Sequence, residues 1–318
     1  MEGLYLVTGG GGFIGANTVA GLLERGAAVR VLDNFATGRR ANLAGLEGPR
    51  LEIIEGDIRS LDAGMRAMRG VTHVIHLAAL GSIPRSIEDP LTTHEVNTGG
   101  TLNLLQAARA AGVRRFVYGG SSSSYGDNRA IPKHETHLGR PLSPYAISKF
   151  AGELYCRSFH DLFGLPAVCL RYFNVFGPLQ DPDSAYAAVI PRFFKHCLRN
   201  EPPVINGDGE QTRDFTFVGN AVAANIRACA AGPASLGRVF NIAGGRRITV
   251  NRLCDEVRRL TGAAVTPVHA PERPGDIRHS EAAIDAAAEG LGYRPETDVF
   301  AGLELSAAWY RRMIAVSR

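Results

Sequence analysis

The sequence has 318 residues, of which 45% are hydrophobic and 21% are charged, and its formal net charge is +4. This composition is ordinary for a globular protein and leaves room for one large α/β domain with a smaller one, while the scattered basic residues argue against nucleic-acid binding. No apolar run approaches the roughly 20 residues that span a bilayer, and no signal peptide precedes the first predicted strand, so we expect a cytoplasmic protein without a membrane partner.

Short apolar runs alternate with helix-length segments through the first half of the chain. Six runs predict buried strands, namely Leu4–Val7, Ala28–Leu32, Leu51–Ile54, His73–Leu77, Arg115–Tyr118 and Ala167–Arg171. Between them we predict helices such as Ala16–Arg25, Thr98–Ala111 and Pro144–Phe163. This alternation is typical of right-handed βαβ units in a doubly wound parallel sheet, where ligands bind beyond the carboxyl ends of the strands.

The pattern changes after about residue 176, where prolines, glycines and short elements become dominant. We predict a dinucleotide-binding domain over residues 1–176, with returns at 214–245. A smaller substrate-binding domain would then comprise residues 177–213 and 246–318. Phe215–Val218 and Val239–Ile242 are the runs that we expect to return to the sheet.

A glycine-rich turn follows the first predicted strand and reads Thr8-Gly9-Gly10-Gly11-Gly12-Phe13-Ile14-Gly15. Its glycine spacing matches the dinucleotide fingerprint. Glycine permits the tight turn and lets a pyrophosphate approach the amides at the start of the next helix. A glycine motif alone also fits a flexible loop, but a position between a strand and a helix favours the phosphate site.

Asp33 ends the second predicted strand, about where a ribose-binding acid is expected. Its carboxylate would accept hydrogen bonds from the adenosine ribose and repel a 2′-phosphate, which favours NAD over NADP. The neighbouring Arg39 and Arg40 weaken that preference. The alternative interpretation is a turn aspartate before Asn34.

Two further strand ends carry candidate cofactor contacts. Asp57 follows the third strand and is either an acceptor for the adenine amino group or an ordinary turn residue. Ala78 and Ala79 end the fourth strand, and their small side chains leave space for a dinucleotide.

Tyr145 and Lys149 stand four residues apart in a segment with helix-start signals, Ser143 as a cap and Pro144 in the first turn. This spacing places both side chains on one helix face. A free tyrosine has a pKa of about 10, and we expect the Lys149 ammonium and a nicotinamide cation to lower the pKa of Tyr145, so that the phenol acts as a general base. Alone, the pair also fits an exposed tyrosine beside a solvated lysine.

Ser121 follows the fifth predicted strand and opens a run of four serines. A serine at a strand end would share the hydrogen bond of a substrate hydroxyl with Tyr145. A polar serine turn is the alternative, and the run leaves the choice among the four serines open. Together, the glycine turn, the serine and the Tyr–Lys pair predict an NAD-dependent enzyme that acts on an alcohol carbon.

The histidines and cysteines do not predict a metal site. The five cysteines are an odd number with no C-x-x-C pair, which is typical of a reducing compartment. His73 and His76 lie in a predicted strand, and His269 and His279 flank a proline-rich loop. Neither pair has a cysteine or carboxylate at ligand spacing.

These motifs resemble the extended short-chain dehydrogenase/reductase family, and within it the UDP-sugar 4-epimerases. The resemblance covers nearly the whole chain, and it is carried by Thr8–Gly15, Asp33–Phe35, Gly56–Asp57, His76–Ala79, Tyr145–Lys149, Arg171–Gly177, Gly207–Asp214 and Arg273–Asp276. Gly81–Ser86 and Asp181–Pro191 look like the branch that prefers N-acetylated hexosamines. The resemblance implies a Rossmann-type fold.

The resemblance also implies specific roles. Counting back four residues from Tyr125, the family's catalytic Ser/Thr falls on Ser121, and Lys149 would also hold the nicotinamide ribose. Implied contacts with NAD fall on Gly9, Gly12, Phe13, Ile14, Gly15, Asp33, Asn34, Gly38, Asp57, Ile58, Leu77, Ala78, Ala79, Asn97, Tyr145, Lys149 and Tyr172. Implied contacts with the UDP-sugar fall on Ser82, Ser121, Ser122, Ser123, Tyr145, Asn174, Ala188, Val189, Val204, Asn206, Arg213, Arg273, Asp276 and Ser280.

Within the substrate set, Arg213 and Arg273 would clamp the UDP phosphates, a task suited to planar guanidinium groups. Asn174 would bind near the diphosphate, and Asp276 would accept from the uridine ribose. Ser280 falls where a tyrosine restricts the pocket of related enzymes to plain hexoses, so a serine would leave room for a 2-N-acetyl group. The alternative for Ser280 is an ordinary surface serine.

Related dehydratases carry Asp-Glu directly after the catalytic residue, and this acid pair moves the protons when water is eliminated. Here those positions are Ser122 and Ser123, and the glutamate of decarboxylating relatives is also absent. The loop departs from the family at Gly119-Gly120, where Ala-Ser is common, and at Ser124, where Val or Thr is commoner.

The sequence therefore predicts an NAD-dependent UDP-N-acetylhexosamine 4-epimerase. The alternatives are a UDP-glucose or UDP-uronate 4-epimerase, a UDP-sugar oxidoreductase of the same fold, or a non-catalytic NAD-sensing protein. Thr93–Ala111 and Pro144–Phe163 resemble the helices of a dimer interface in this family, so we also expect a homodimer.

Overall fold

The computed structural model describes residues 2–137, 139–272 and 277–316. In these ranges the strands are β1 (Leu4–Thr8), β2 (Ala28–Asp33), β3 (Leu51–Glu55), β4 (Val71–His76), β5 (Arg115–Ser121), β6 (Ala167–Tyr172), β7 (Val175–Phe176), β8 (Val204–Asn206), β9 (Thr212–Asp214), β10 (Thr216–Phe217), β11 (Val239–Ile242), β12 (Arg247–Thr249) and β13 (Val268–Ala270). The α-helices are α1 (Phe13–Glu24), α2 (Leu61–Ala67), α3 (Ile83–Glu88), α4 (Pro90–His94), α5 (Gly100–Ala111), α6 (Pro144–Phe163), α7 (Val189–Leu198), α8 (Val218–Ala230), α9 (Val250–Thr261), α10 (Asp285–Leu291) and α11 (Val299–Val316).

Seven parallel strands form the main sheet in the order β11-β6-β5-β4-β1-β2-β3. The six strands predicted from apolar runs are all present, although Leu77 lies beyond β4 and β5 continues to Ser121. The doubly wound Rossmann-type fold is thereby confirmed. All the carboxyl ends of these parallel strands meet at one edge, which is where the glycine turn and Ser121 lie.

Helices cover both faces of the sheet, as the apolar strands require. Buried side chains of α1, α8 and α10 pack on one face, and those of α2, α5 and α6 pack on the other. A third apolar cluster joins α7, α9 and α11 and supports the short strands of the second half of the chain. Among the described helices, none is long and apolar enough to cross a bilayer.

The two runs expected to return to the sheet behave differently. Val239–Ile242 forms β11 and pairs with β6 at the sheet edge. Phe215–Val218 does not join the main sheet, because β10 pairs with β7 in a separate two-stranded sheet and Val218 begins α8. Because β11 pairs with the outer edge of β6, that edge is not free to pair with Phe215–Val218.

Candidate active site

The glycine turn is held so closely that side chains are excluded. Gly9 has a φ of +70°, and a Cβ there would lie 2.7 Å from the Ala78 nitrogen. A Cβ at Gly15 would lie 2.0 Å from the Gly9 carbonyl oxygen. The turn therefore needs glycine at both ends, with its backbone packed on the loop that follows β4.

Helix α1 begins at this turn without a side-chain cap, because its N-cap residue is Gly12. The first amides of a helix have no intrahelical acceptor, and the helix dipole adds positive potential at the same place. A bare backbone cradle of this kind fits a pyrophosphate. Phe13, Ile14 and Gly15 would supply the amides, and their contact with NAD stays a prediction.

Asp33 is buried at the end of β2 and accepts two backbone hydrogen bonds. Gly11 N–H donates to Oδ2 at 2.8 Å and Phe35 N–H donates to Oδ1 at 2.7 Å. Each carboxylate oxygen keeps a further acceptor site for a ribose hydroxyl. Asp33 therefore shapes the turn as well as presenting a negative charge beside it.

The two arginines expected to weaken the preference for NAD are engaged with acids. Arg39 pairs with Asp181 at 2.5 Å, and Arg40 pairs with Glu55 while its guanidinium lies 4.4 Å from the centroid of the Phe35 ring. Gly38 packs on this turn, since a Cβ there would lie 2.7 Å from the Gly11 carbonyl carbon. Both arginines therefore have a carboxylate of the protein as their partner, and not the phosphate of a ligand.

Asp57 acts as a turn residue in the structure. Its carboxylate accepts from the Arg59 backbone at 2.8 Å, from the Arg59 guanidinium at 2.7 Å and from the Asn34 amide at 3.0 Å. Chiefly because of the Arg59 hydrogen bond, the pKa of Asp57 falls to about 2. The predicted adenine contact stays a prediction, as does the cofactor contact of Asn34.

Three other residues of the predicted NAD set are occupied by protein contacts. The Asn97 side chain accepts from the Leu80 N–H and donates to the Leu80 carbonyl. It also donates to the Ser148 hydroxyl at 3.0 Å. The Tyr172 hydroxyl donates to Asn225 at 2.5 Å. The Ile58 side chain is buried in the core between the sheet and α5. These side chains support the site from behind, and direct contacts with NAD remain predictions. Leu77 is partly buried and packs against the core cluster that contains Tyr172.

Helix α6 carries Tyr145 and Lys149, the predicted catalytic pair. Ser143 caps it by accepting from the Ala146 N–H at 3.1 Å, Pro144 occupies the first turn, and Gly164 ends the helix in the left-handed conformation. At the end of β5, the Ser121 hydroxyl lies close enough to the half-buried Tyr145 phenol to affect its pKa, and it accepts from the Ser123 N–H at 3.2 Å. The structure therefore brings together the serine and the tyrosine that the sequence predicted.

Without a cofactor, the pKa of Tyr145 is not lowered. Burial raises the pKa of this phenol, and the nearby Ser121 hydroxyl opposes the rise. The Lys149 ammonium lies 4.5 Å from the centroid of the Tyr118 ring, and its expected joint effect with a nicotinamide cation stays a prediction. Without a further positive charge, the phenol stays protonated near neutral pH.

His76 belongs to a buried hydrogen-bonded chain behind the site. The Thr101 hydroxyl donates to the Asn97 carbonyl at 2.6 Å, so it accepts from His76 Nε2 at 2.9 Å. His76 Nδ1 is then the acceptor for the Thr8 hydroxyl at 2.6 Å. Burial lowers the pKa of His76 to about 3, which makes this a neutral, single-tautomer histidine.

This chain reaches α6 through two more hydrogen bonds. Asn97 donates to the Ser148 hydroxyl, which donates in turn to the Tyr145 carbonyl at 2.8 Å. The end of β1, where the glycine turn begins, is thus connected to the first turn of the catalytic helix. The sequence analysis placed His76 in a motif and Asn97 among the implied NAD contacts but did not identify the connection.

The predicted substrate contacts cluster around β9. Ser280 is buried and its N–H donates to the Thr212 carbonyl at 3.1 Å. The Arg213 guanidinium donates to the Arg278 carbonyl at 3.2 Å. The Asn174 amide donates to the Asp214 carbonyl at 2.8 Å. The buried position of Ser280 excludes the surface-serine alternative.

The remaining candidates for substrate contacts lie on neighbouring elements. Val204 and Asn206 lie in β8, which pairs with β13, while Ala188 and Val189 lie at the start of α7. Ser82 caps α3 by accepting from Arg85 N–H at 3.2 Å. Ser122 and Ser123 form a 3₁₀ turn directly after β5. Arg273 and Asp276 lie outside the described residues.

Asp214 and Glu153 are site-supporting acids that sequence reasoning missed. Asp214 accepts from the amides of Gly244 and Ala282 at 2.8 and 3.3 Å, and burial raises its pKa to about 7. Glu153 is buried one helical turn after Lys149 and forms an ion pair with Arg171. The only sequence signal for Glu153 was its position four residues after Lys149 on one helix face.

The described residues contain no group of three or more histidine, cysteine or acidic side chains that could hold a metal ion. All five cysteines are free and buried. The chemistry of the site therefore rests on a hydroxyl, a phenol, an ammonium and a backbone cradle for a dinucleotide.

Comparisons with known proteins agree with this geometry. The model of the NAD dependent epimerase/dehydratase family matches residues 5–243. A UDP-glucose 4-epimerase from Mycolicibacterium smegmatis is 37% identical over 309 residues, with 96% of this chain and 98% of the relative covered.

Two solved structures are similar over nearly their whole length. A UDP-N-acetylglucosamine 4-epimerase from Methanobrevibacter ruminantium, in complex with UDP-N-acetylmuramic acid, is 37% identical with a TM-score of 0.93, covering 98% of this chain and 99% of the other. A UDP-glucuronic acid 4-epimerase from Bacillus cereus, with UDP-glucuronic acid and NAD, is 30% identical with a TM-score of 0.90 and the same coverage.

Proposed function

This chain belongs to the NAD dependent epimerase/dehydratase family, and from that premise we propose that it interconverts the gluco and galacto forms of a UDP-N-acetylhexosamine by epimerisation at C4. It is an isomerase of the UDP-sugar 4-epimerase type, and its cofactor is NAD. Within that type, we propose an N-acetylhexosamine as the sugar of the substrate.

The observation that carries the proposal is the position of Ser121 beside the Tyr145 phenol, followed by a turn of serines without an acid. Ser122 and Ser123 follow Ser121 directly and cannot shuttle the protons that elimination of water requires. The site can therefore move the proton of one hydroxyl but has no acid–base pair for dehydration. Epimerisation needs no more than this, whereas elimination of water does.

When bound, NAD supplies the transient acceptor for the C4 hydride. Tyr145 accepts the proton of the 4-hydroxyl and returns it after the sugar has turned over, while Ser121 holds the reacting oxygen by a shared hydrogen bond. Arg213 and Asn174 would anchor the UDP moiety. Binding through UDP leaves the hexose free to present either face to the same phenol.

The N-acetyl preference rests on the size of the Ser280 side chain. The Ser280 N–H donates to the carbonyl of Thr212, which precedes Arg213 in β9. Ser280 therefore lies next to the proposed binding site for the diphosphate and the sugar. A serine leaves volume for a 2-N-acetyl group that a tyrosine would fill. The similar UDP-N-acetylglucosamine 4-epimerase supports this choice.

Product analysis by proton NMR tests the substrate. We expect the purified enzyme to interconvert UDP-N-acetylglucosamine and UDP-N-acetylgalactosamine without net formation of NADH. Interconversion of UDP-glucose or UDP-glucuronate alone would overturn the N-acetylhexosamine proposal. Stoichiometric NADH production would overturn epimerisation itself in favour of an oxidoreductase.

We also propose that two copies of this chain associate through α5 and α6. Three large apolar side chains lie on one face of α6, at spacings of seven and eight residues, with high exposed fractions: Ile147 at 56%, Leu154 at 54% and Leu162 at 71%. A face of this kind on a helix of twenty residues is typical of an interface. A second copy would cover it by forming a four-helix bundle.

A further inference from the structure

Lys149 is buried near a carboxylate that the mechanism has not used. Glu153 lies one helical turn further along α6 and on the same face. Both residues are almost completely buried, with exposed fractions of 5% for Lys149 and 2% for Glu153. A buried ammonium without a counter-charge loses its proton readily, so the position of this carboxylate bears directly on the charge of Lys149.

Glu153 is fixed in position by Arg171 of β6. The guanidinium donates to both carboxylate oxygens, from Nε at 2.9 Å and from Nη2 at 2.7 Å to Oε2, and from Nε at 3.0 Å to Oε1. The Ser124 hydroxyl donates to Oε1 at 3.4 Å. The guanidinium also lies 4.7 Å from the centroid of the Tyr125 ring.

Two glycines make room for this arrangement. A Cβ at Gly120 would lie 2.8 Å from Glu153 Oε1, and a Cβ at Gly152 would lie 2.2 Å from the Tyr118 hydroxyl. Tyr118 in turn lies beneath the Lys149 ammonium and donates to the Lys149 carbonyl at 3.2 Å. Gly120, a departure from the common family pattern, therefore leaves the space that the Glu153 carboxylate fills.

The ionisable groups around Lys149 come from three strands and its own helix. Glu153 and Cys156 lie on α6, Cys169 lies on β6, and His76 lies on β4. His76 is neutral near pH 7, since burial lowers its pKa to about 3. Tyr118 of β5 has its pKa raised by burial and stays a neutral phenol. Burial lowers the pKa of Lys149 to about 8, and Glu153 is the largest influence opposing that fall.

We infer that Glu153 is a positioning residue that keeps Lys149 in its ammonium form, and that Arg171 holds the carboxylate in the geometry this requires. The inference rests on the proposed function only in taking the Lys149 ammonium to be needed for catalysis, as the resemblance implies for the nicotinamide ribose. Arg171 is itself paired with the Glu153 carboxylate. The carboxylate therefore offsets only part of the positive charge of Lys149.

The test is the titration of the Lys149 side chain. The sequence contains only three lysines, Lys133, Lys149 and Lys195, so ¹⁵N-lysine labelling gives a small spectrum that Lys149→Arg assigns. In the wild-type enzyme, saturated with NAD, we expect Lys149 to titrate below the ordinary lysine value of 10.5 because it is buried. In Glu153→Gln the midpoint should fall by about 1 to 3 pH units, the change produced by losing one close opposite charge.

Two variants complete the experiment. Asp161→Asn removes an exposed acid from the same helix and should leave the Lys149 midpoint unchanged. Glu153→Asp keeps the charge but withdraws it by one methylene, so we expect a smaller fall of the same sign, and it answers the question if Glu153→Gln does not fold. An unchanged Lys149 midpoint in the folded Glu153 variants would overturn the inference.

Catalysis supplies a second readout that a merely structural role would not move. The alkaline limb of the kcat profile should shift to lower pH in Glu153→Gln by the same amount as the NMR midpoint. A lower kcat with unmoved limbs would show that Glu153 acts only in folding. If the NMR shift occurs in a protein that does not epimerise any UDP-sugar, the proposed function fails while the role of Glu153 stands.

Discussion

Replacing His76 with glutamine should change how stability depends on pH. His76 is almost fully buried between Thr8 and Thr101. Its pKa falls from 6.5 to about 3 on folding because of burial. A glutamine can accept from one threonine and donate to the other, but it does not titrate, so His76→Gln isolates the cost of keeping the imidazole neutral.

The sign and size follow from linkage between proton binding and folding. Because the folded pKa is the lower one, the unfolded chain takes up the proton first as the pH falls through 6.5, and the wild type loses stability progressively between that pH and about pH 3. With these values the loss is about 0.2 kcal/mol at pH 7 and about 2 kcal/mol at pH 5. Above about pH 7.5 the histidine contributes no pH dependence.

Urea unfolding of both proteins at pH 7 and pH 5 measures this difference. Other titrating groups cancel in the comparison, so the wild type should lose about 2 kcal/mol relative to His76→Gln between the two pH values. His94→Gln, which replaces an exposed histidine of α4, is the matched control and should show no such relative change. Parallel pH dependences for wild type and His76→Gln would refute the buried, neutral imidazole.

Three further predictions concern the reaction and the assembly. Tyr145→Phe should lower kcat for UDP-N-acetylglucosamine by about 10²- to 10⁴-fold with an unchanged circular dichroism spectrum, and a rate within a few-fold of wild type in the NMR assay would contradict the assignment of the base. Ser280→Tyr should reduce kcat/KM for the N-acetylated sugar far more than for UDP-glucose, and an equal loss on both would argue that Ser280 does not border the 2-substituent. Leu154→Glu should convert a dimer to a monomer in sedimentation velocity, whereas Asp161→Asn on the same helix should not; a wild-type monomer would contradict the proposed interface.

Patterns within single segments were sufficient to predict the sheet and the two halves of the site. Leu4–Val7 and the other apolar runs predict strands because both faces of a parallel sheet are buried. The glycine turn is equally local, since backbone space and helix dipole follow from a few adjacent residues. The spacing of Tyr145 and Lys149 likewise fixes their common helix face without knowledge of the rest of the fold.

Contacts between distant segments could not be predicted in the same way. Arg39 pairs with Asp181 across 142 positions of sequence, and Phe215–Val218 loses its place in the main sheet because a later strand occupies the edge beside β6. The support of Asp33 for the Gly11 amide depends on how two loops meet. These features depend on tertiary packing, for which a single sequence carries no periodic signal.

The pKa of Tyr145 shows why this difference matters for mechanism. Spacing on the helix suggested that Lys149 and a nicotinamide cation would together ionise the phenol, but burial raises the pKa of Tyr145 in the protein without the cofactor. Fewer than about one phenol in 10³ is then ionised at pH 7, and lowering the pKa by about 3 units requires about 4 kcal/mol. One positive charge about 4 Å away contributes about 4 kcal/mol at an effective dielectric constant of about 20. The positive ring of oxidised NAD would be a charge of the required size, so under the proposed function Tyr145 would act as a base when the oxidised cofactor is bound.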